Sequence, residues 1–165
     1  MIKESTIYKA YKDCDLRNHW LKTPYETYAN LGAKSKGCVG ETIVKCFLAD
    51  SGFEVNNRTN VGHDAIVNGI KTEIKFSLAS KRNMNHEFTF NHIGPKKDWE
   101  RIIFCGINGD LEEEMVWFTN EEIQEIITED DSSLRVQEGE FDFFSMGKNS
   151  TKLLNHPLAK TMQEW

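Results

Sequence analysis

The chain has 165 residues, 39% hydrophobic and 28% charged, a balance that predicts one globular domain long enough to bury a core. No apolar run approaches the ~18–20 residues of a membrane span, and Met1 to Asp15 is too polar for a secretory leader, so no membrane partner and a cytoplasmic location are expected. The formal charge of −6 is uneven: residues 1–101 hold 16 Lys+Arg against 12 Asp+Glu, and residues 102–165 hold 4 against 14, which leaves the first part able to face a polyanion.

In chain order, residues 1–22 are expected to be irregular or weakly helical. Thr23-Pro24-Tyr25-Glu26 predicts a helix start, with Thr23 as N-cap, Pro24 in the first turn and Glu26 completing a capping box. Gly32-Ala-Lys-Ser-Lys-Gly37 reads as a basic loop whose Lys34 and Lys36 suit phosphate groups. A phosphate loop wants Lys-Ser/Thr directly after the second glycine, and Cys38-Val39 follows instead, so no nucleotide cofactor is expected. A helix is predicted over Val39 to Asp50, with Val39, Ile43, Cys46 and Phe47 on one stripe, ended by Ser51-Gly52.

Short extended runs follow. Phe53 to Arg58 is a strand candidate, and residues 63–68 and 70–78 form a predicted hairpin around Asn68-Gly69, the strongest short signal for a type I′ turn. With those two at the turn, Val67 faces Ile70 and Asp64 faces Glu73, at a Cβ separation of roughly 4.5–5.5 Å. Alternation puts Asp64, Ile66, Lys71, Glu73 and Lys75 on one face and Ala65, Val67, Ile70, Thr72, Ile74 and Phe76 on the other, the expected buried side. Gly62 would oppose Lys75 and leave it room. Further strands are expected at Glu87 to Asn91, Arg101 to Ile107 and Met115 to Phe118, then a helix at Glu121 to Thr128. Phe141 to Phe144 is a late strand candidate, and Thr151 to Gln163 a terminal helix interrupted at Pro157.

The fold class expected is α/β (α+β), a mixed central sheet flanked by helices, with a core of about 25–130 and a C-terminal extension over 131–165. The four cysteines, Cys14, Cys38, Cys46 and Cys105, lack zinc-ligand spacing; Cys46 and Cys105 lie in apolar runs and are expected to be buried.

Asp64, a short gap, and Glu73-Ile74-Lys75 on the next strand resemble the PD-(D/E)XK signature of the restriction-endonuclease-like nucleases. Gly40-Glu41 on the preceding helix, Gly52-Phe53-Glu54-Val55 leading into the first strand, and the runs Phe88 to Ile93 and Asp98 to Phe104 extend the resemblance to small type II restriction enzymes. It covers roughly residues 37–118, about half the chain, and His63 stands where the motif has proline. Asn85-His86 and Asn91-His92 are a decoy for an HNH nuclease, whose metal-binding helix Gly94-Pro95 would interrupt.

The resemblance implies a Mg²⁺-dependent endonuclease, with Mn²⁺ able to substitute, that cleaves double-stranded DNA as a homodimer. A structure-specific or homing nuclease of the same superfamily and a non-catalytic DNA-binding module are the alternatives. Asp64 and Glu73 are hard oxygen ligands suited to Mg²⁺, joined in such nucleases by the main-chain carbonyl of the intervening residue, here Ile74. Lys75 would orient the attacking water and stabilise developing charge, and Glu41 would add a second-metal or water-mediated contact. For DNA, the candidates are Lys34, Lys36, Lys71, Ser77, Lys81, Arg82, Asn83, Asn85, His92, Lys96 and Lys97. Arg82, Asn83 and Asn85 have side chains that suit base edges, whereas Lys96 and Lys97 suit phosphates.

Overall fold

A computed structural model describes residues 19–80, 87–137, 140–146 and 150–165. It contains a five-stranded mixed sheet flanked by helices, and a second sheet of three strands. The first sheet has the order β1 (Val55–Asn57), β2 (Ala65–Val67), β3 (Ile70–Leu78), β5 (Arg101–Ile107), β6 (Glu113–Thr119). β3 and β5 run parallel and the other neighbours antiparallel. β4 (Phe90–Ile93), β8 (Glu140–Met146) and β7 (Leu134–Gln137) form the second sheet, antiparallel throughout.

The hairpin forms in the expected register: Ala65 pairs with Thr72, Ile66 with Lys71 and Val67 with Ile70. Asn68 and Gly69 take φ of 49° and 82°, the positive values that a type I′ turn requires. Asn68 also fastens the turn to the chain entering β1, accepting from the Glu54 amide at Oδ1 and donating its own amide to the Glu54 carbonyl, both at 2.8 Å. Ala65, Val67, Thr72 and Ile74 are buried as the alternation predicts, whereas Ile70 and Phe76 of the same face are half-buried and Glu73 of the other face is buried. β5 lies in the middle of the sheet, and Ile102 to Ile107 are buried along its whole length.

The helix before the hairpin differs from expectation. α2 runs Ala33–Asp50, following a single turn, α1 (Glu26–Ala29). The expected loop around Lys34 and Lys36 is therefore the first turns of α2, begun by Gly32 in an extended conformation. Its buried stripe is Gly40, Val44 and Leu48, whereas Val39 is exposed and Ile43 and Phe47 are only half-buried. Cys46, expected inside, is exposed; Cys105 is buried. Thr23 makes no capping box with Glu26: its hydroxyl donates to the Trp20 carbonyl, and Glu26 accepts from the Lys22 amide.

Gly40 explains the shift of stripe. A Cβ placed there would lie 2.8 Å from Cβ and 2.9 Å from Cδ1 of Phe76, so the missing side chain lets α2 close onto β3. Gly40→Val is expected to lower the unfolding free energy by about 1–3 kcal/mol, because overpacking outweighs the ~1 kcal/mol of helix propensity that glycine forgoes. Urea denaturation measures it, and an unchanged midpoint would show that the helix has room to move.

Segment 131–165 is part of the core, through Leu134 and Leu153, more than an appendage to it. The Arg101 guanidinium packs against the rings of both Trp117 and Trp165, at 4.3 and 4.6 Å from their centroids. The expected helix over 121–128 forms as α3 (Asn120–Thr128), and the expected terminal helix is reduced to α4 (Ser150–Leu154) and a 3-10 turn at Met162–Glu164. No helix among the described residues is long and apolar enough to cross a membrane.

Candidate active site

β2 pairs with β3 only as far as Thr72, and the Asp64 amide continues that ladder with a bond to the Thr72 carbonyl at 3.0 Å. Beyond it the Asp64 side chain takes over the strand's place: Oδ2 accepts from the Ile74 amide at 2.8 Å. Carbonyls alternate sides along a strand, so that of Ile74 follows that of Thr72 toward the Asp64 edge. From Ile74 to Ser80 this edge lines a cleft of about 760 Å³.

Glu73 is buried, at 2% side-chain exposure, and its Oε1 accepts from Lys75 Nζ at 2.8 Å and from Lys97 Nζ at 3.4 Å. A carboxylate buried to that degree is stable only when paired. Asp64 shares the volume, and no ammonium of the described residues lies at bonding distance from it. Burial, and then the charge of Glu73, hold its carboxyl above the usual value; the Ile74 amide, Lys75 and Lys97 oppose them. Glu41 is raised too, by burial first and then by Asp64, against Lys45 and Lys75. Glu41 and Lys75 both line the cleft. The structure thus brings together Glu41, Asp64, Glu73, Ile74 and Lys75.

The DNA candidates divide. Lys34, Lys36, Ser77 and His92 line the cleft. Ser77 is already engaged, donating to the Leu78 carbonyl and accepting from the Thr89 amide. Lys71, on the face of the acids but nearer the turn, is engaged by Asp98, whose two oxygens accept from Nζ at 2.9 and 2.8 Å. Gly62 opens no space for Lys75, since a Cβ there would meet Asp98 and Asn60 at 2.8–3.0 Å. Lys96 is exposed on the turn after β4. Lys81, Arg82, Asn83 and Asn85 lie outside the described residues, as do His86 of the decoy motif and Cys14.

His63 is packed into the fold, 1% exposed. Its Nε2 accepts from the Thr59 amide at 3.3 Å, which leaves the proton on Nδ1 to donate to the Asp98 carbonyl at 3.2 Å. This histidine orders the loop that delivers Asp64.

Two residues escaped the sequence reading. Trp99 donates Nε1 to the Gly94 carbonyl at 2.8 Å, and the Asn120 amide donates to the Pro95 and Trp99 carbonyls at 3.0 and 3.2 Å. Both are buried, and together they hold the turn that carries Lys97. The Gly94-Pro95 break was the only local sign of a built turn.

Among the described residues no three His, Cys, Asp or Glu side chains form a ready metal cage. The donor set is nevertheless chemically suited to a hard cation. Asp64 and Glu73 supply carboxylates, Ile74 a carbonyl, and Mg²⁺ keeps several waters besides. No protein-family model and no curated protein matches the chain.

Proposed function

We propose that this chain is a Mg²⁺-dependent endodeoxyribonuclease with a restriction-endonuclease-like core, hydrolysing phosphodiester bonds of double-stranded DNA at specific sequences as a homodimer. The observation that carries the proposal is the end of β2. There the Asp64 carboxylate replaces a strand on the Ile74 amide, next to the Lys75–Glu73 ion pair at the rim of a cleft.

Asp64, Glu73 and the Ile74 carbonyl would hold the metal, with Glu41 as a further contact through water. When bound, the ion supplies Lewis acidity and a water of lowered pKa. Lys75, 15% exposed, is fixed by Glu73 with its ammonium able to orient the attacking water and to meet charge developing on the phosphate. Lys34 and Lys36, about two turns and one turn of α2 before Gly40 and Glu41, give the cleft positive charge for the flanking phosphates. One such site cuts one strand, and a two-fold pair of chains supplies the second cut and reads a palindrome.

The competing reading is a buried ion cluster that is only structural, favoured by the two ammoniums already on Glu73. Plasmid incubated with the protein and Mg²⁺ is expected to become linear at discrete sites, with Mn²⁺ substituting. Binding of Mn²⁺ without DNA, followed by its electron paramagnetic resonance, is expected to disappear in Asp64→Asn. Intact plasmid together with absent Mn²⁺ binding would leave the structural cluster as the answer. Preference for four-way junctions over linear duplex would redirect the proposal to a resolvase-like nuclease.

A further inference from the structure

We propose that Lys97 is a second, exchangeable ammonium of the site: it neutralises Glu73 while the metal is absent and moves to the substrate phosphate when a metal takes the carboxylate. The inference rests on the nuclease reading and adds to it a residue from outside the hairpin.

Three observations single Lys97 out from the surface lysines. Its Nζ lies 3.4 Å from Oε1 of Glu73, the same oxygen that Lys75 contacts at 2.8 Å. Glu73 and the neighbouring Asp64 together balance the two ammoniums. A divalent ion held by those carboxylates would leave the ammoniums without their counter-charge, which a phosphate can supply.

The Lys97 stem is also held in a slot. A Cβ on Gly94 would meet Lys97 Cδ and Cγ at 3.3 Å and Phe143 Cε1 at 3.0 Å, and the Lys97 ammonium stands 5.5 Å from the Phe143 ring centroid. Phe143 belongs to β8, so the second sheet forms one wall of the slot. The turn itself is pinned through the Lys97 amide on the Gly94 carbonyl, through Trp99 and through Asn120. Such bracing is out of proportion to a solvated lysine.

Finally, Lys97 keeps 33% side-chain exposure where Lys75 keeps 15% and Glu73 2%. Of the two ammoniums it is the more open to solvent and has the longer, weaker contact, so it is the one that can leave. A divalent ion held by Glu73 would compete with the ammonium for Oε1, since both are cations seeking the same oxygen. Once displaced, the ammonium would remain on a stem anchored beside the site, where it could donate to a bound phosphate.

The two halves of the proposal move different measurements in opposite directions. Lys97→Met keeps the stem against Gly94 and Phe143 and removes the charge. Without DNA, its Mn²⁺ dissociation constant, read by electron paramagnetic resonance, is expected to fall about tenfold, since the competing cation near the carboxylate is gone. At saturating Mg²⁺, its single-turnover cleavage is expected to slow by about 10²-fold, the scale for losing one stabilising group. Lys97→Arg, which retains charge, is expected to restore most of the rate.

A merely structural lysine would weaken both metal binding and cleavage, and a spectator would change neither. Either result overturns the proposal while leaving the nuclease reading intact, provided the unaltered protein cleaves. If the unaltered protein neither binds Mn²⁺ nor cleaves, both readings fall together.

Discussion

Lys75→Met is expected to reduce DNA cleavage by about 10²–10³-fold without weakening DNA binding or metal binding. The expectation follows from where the ammonium stands. Lys75 is one strand period beyond Glu73 and bonds to its Oε1 at 2.8 Å, so its Nζ is fixed without touching Asp64 Oδ2, which the Ile74 amide occupies. Removing it takes a positive charge from the place where a phosphate would develop negative charge, yet removes no metal ligand. The fold is expected to survive, although breaking a buried ion pair ordinarily costs ~3–5 kcal/mol, because Lys97 stays on the same carboxylate oxygen. Glu73→Gln is the harsher change: both ammoniums lose their counter-charge, and a metal ligand is lost. It is expected to abolish cleavage and metal binding and to lower stability as well. Single-turnover cleavage, duplex binding in Ca²⁺ and urea denaturation separate these effects. Undiminished cleavage in Lys75→Met would remove the enzyme from the argument.

The hairpin was legible because its determinants are local. Asn68-Gly69 demands positive φ, and the two-residue period then assigns each side chain to a face without reference to the rest of the chain. Arg101 to Ile107 was legible for a similar reason: an unbroken apolar run has no place but the middle of a sheet. The stripe of α2 was not. Val39, Ile43 and Phe47 and the true set Gly40, Val44 and Leu48 are neighbouring diagonals of one helix, and bulk favours the first. The choice was made by Phe76 across the interface, where only a residue lacking Cβ fits.

The second sheet was only partly foreseen, since β4 and β8 pair over about fifty residues of intervening chain, a contact that no local pattern encodes. The surroundings of Glu73 are likewise assembled at long range. Its charge is legible in Glu-x-Lys, but its second ammonium comes from a turn more than twenty residues later. That turn is held by Trp99 and Asn120, whose roles depend on Gly94 and Pro95 being nearby in space.

Asp64→Asn is expected to do two opposite things: to eliminate metal binding and cleavage, and to raise thermal stability at neutral pH. The stability sign comes from the proton balance. The Asp64 carboxyl is held above its ordinary value of 3.8, by burial first and by the charge of Glu73 next, so the folded chain binds its proton more tightly than the unfolded chain. Between the unfolded and folded values the native state carries more protons, and stability therefore falls as pH rises through that interval. At neutral pH the ionised Asp64 is a net cost to the fold. Asparagine keeps an oxygen for the Ile74 amide and carries no charge to desolvate, so the cost is relieved. For a chain of this length each ~1 kcal/mol gained raises Tm by roughly 2–4 °C. The difference between Asp64→Asn and the unaltered protein is expected to shrink as the pH is lowered through the interval, because both side chains are then neutral. Thermal unfolding followed from neutral pH down to pH 4 tests this, on samples free of divalent ions. A variant less stable than its parent at neutral pH would mean that Asp64 is held by favourable charge contacts, and that the acids form a structural cluster instead of a site waiting for a cation.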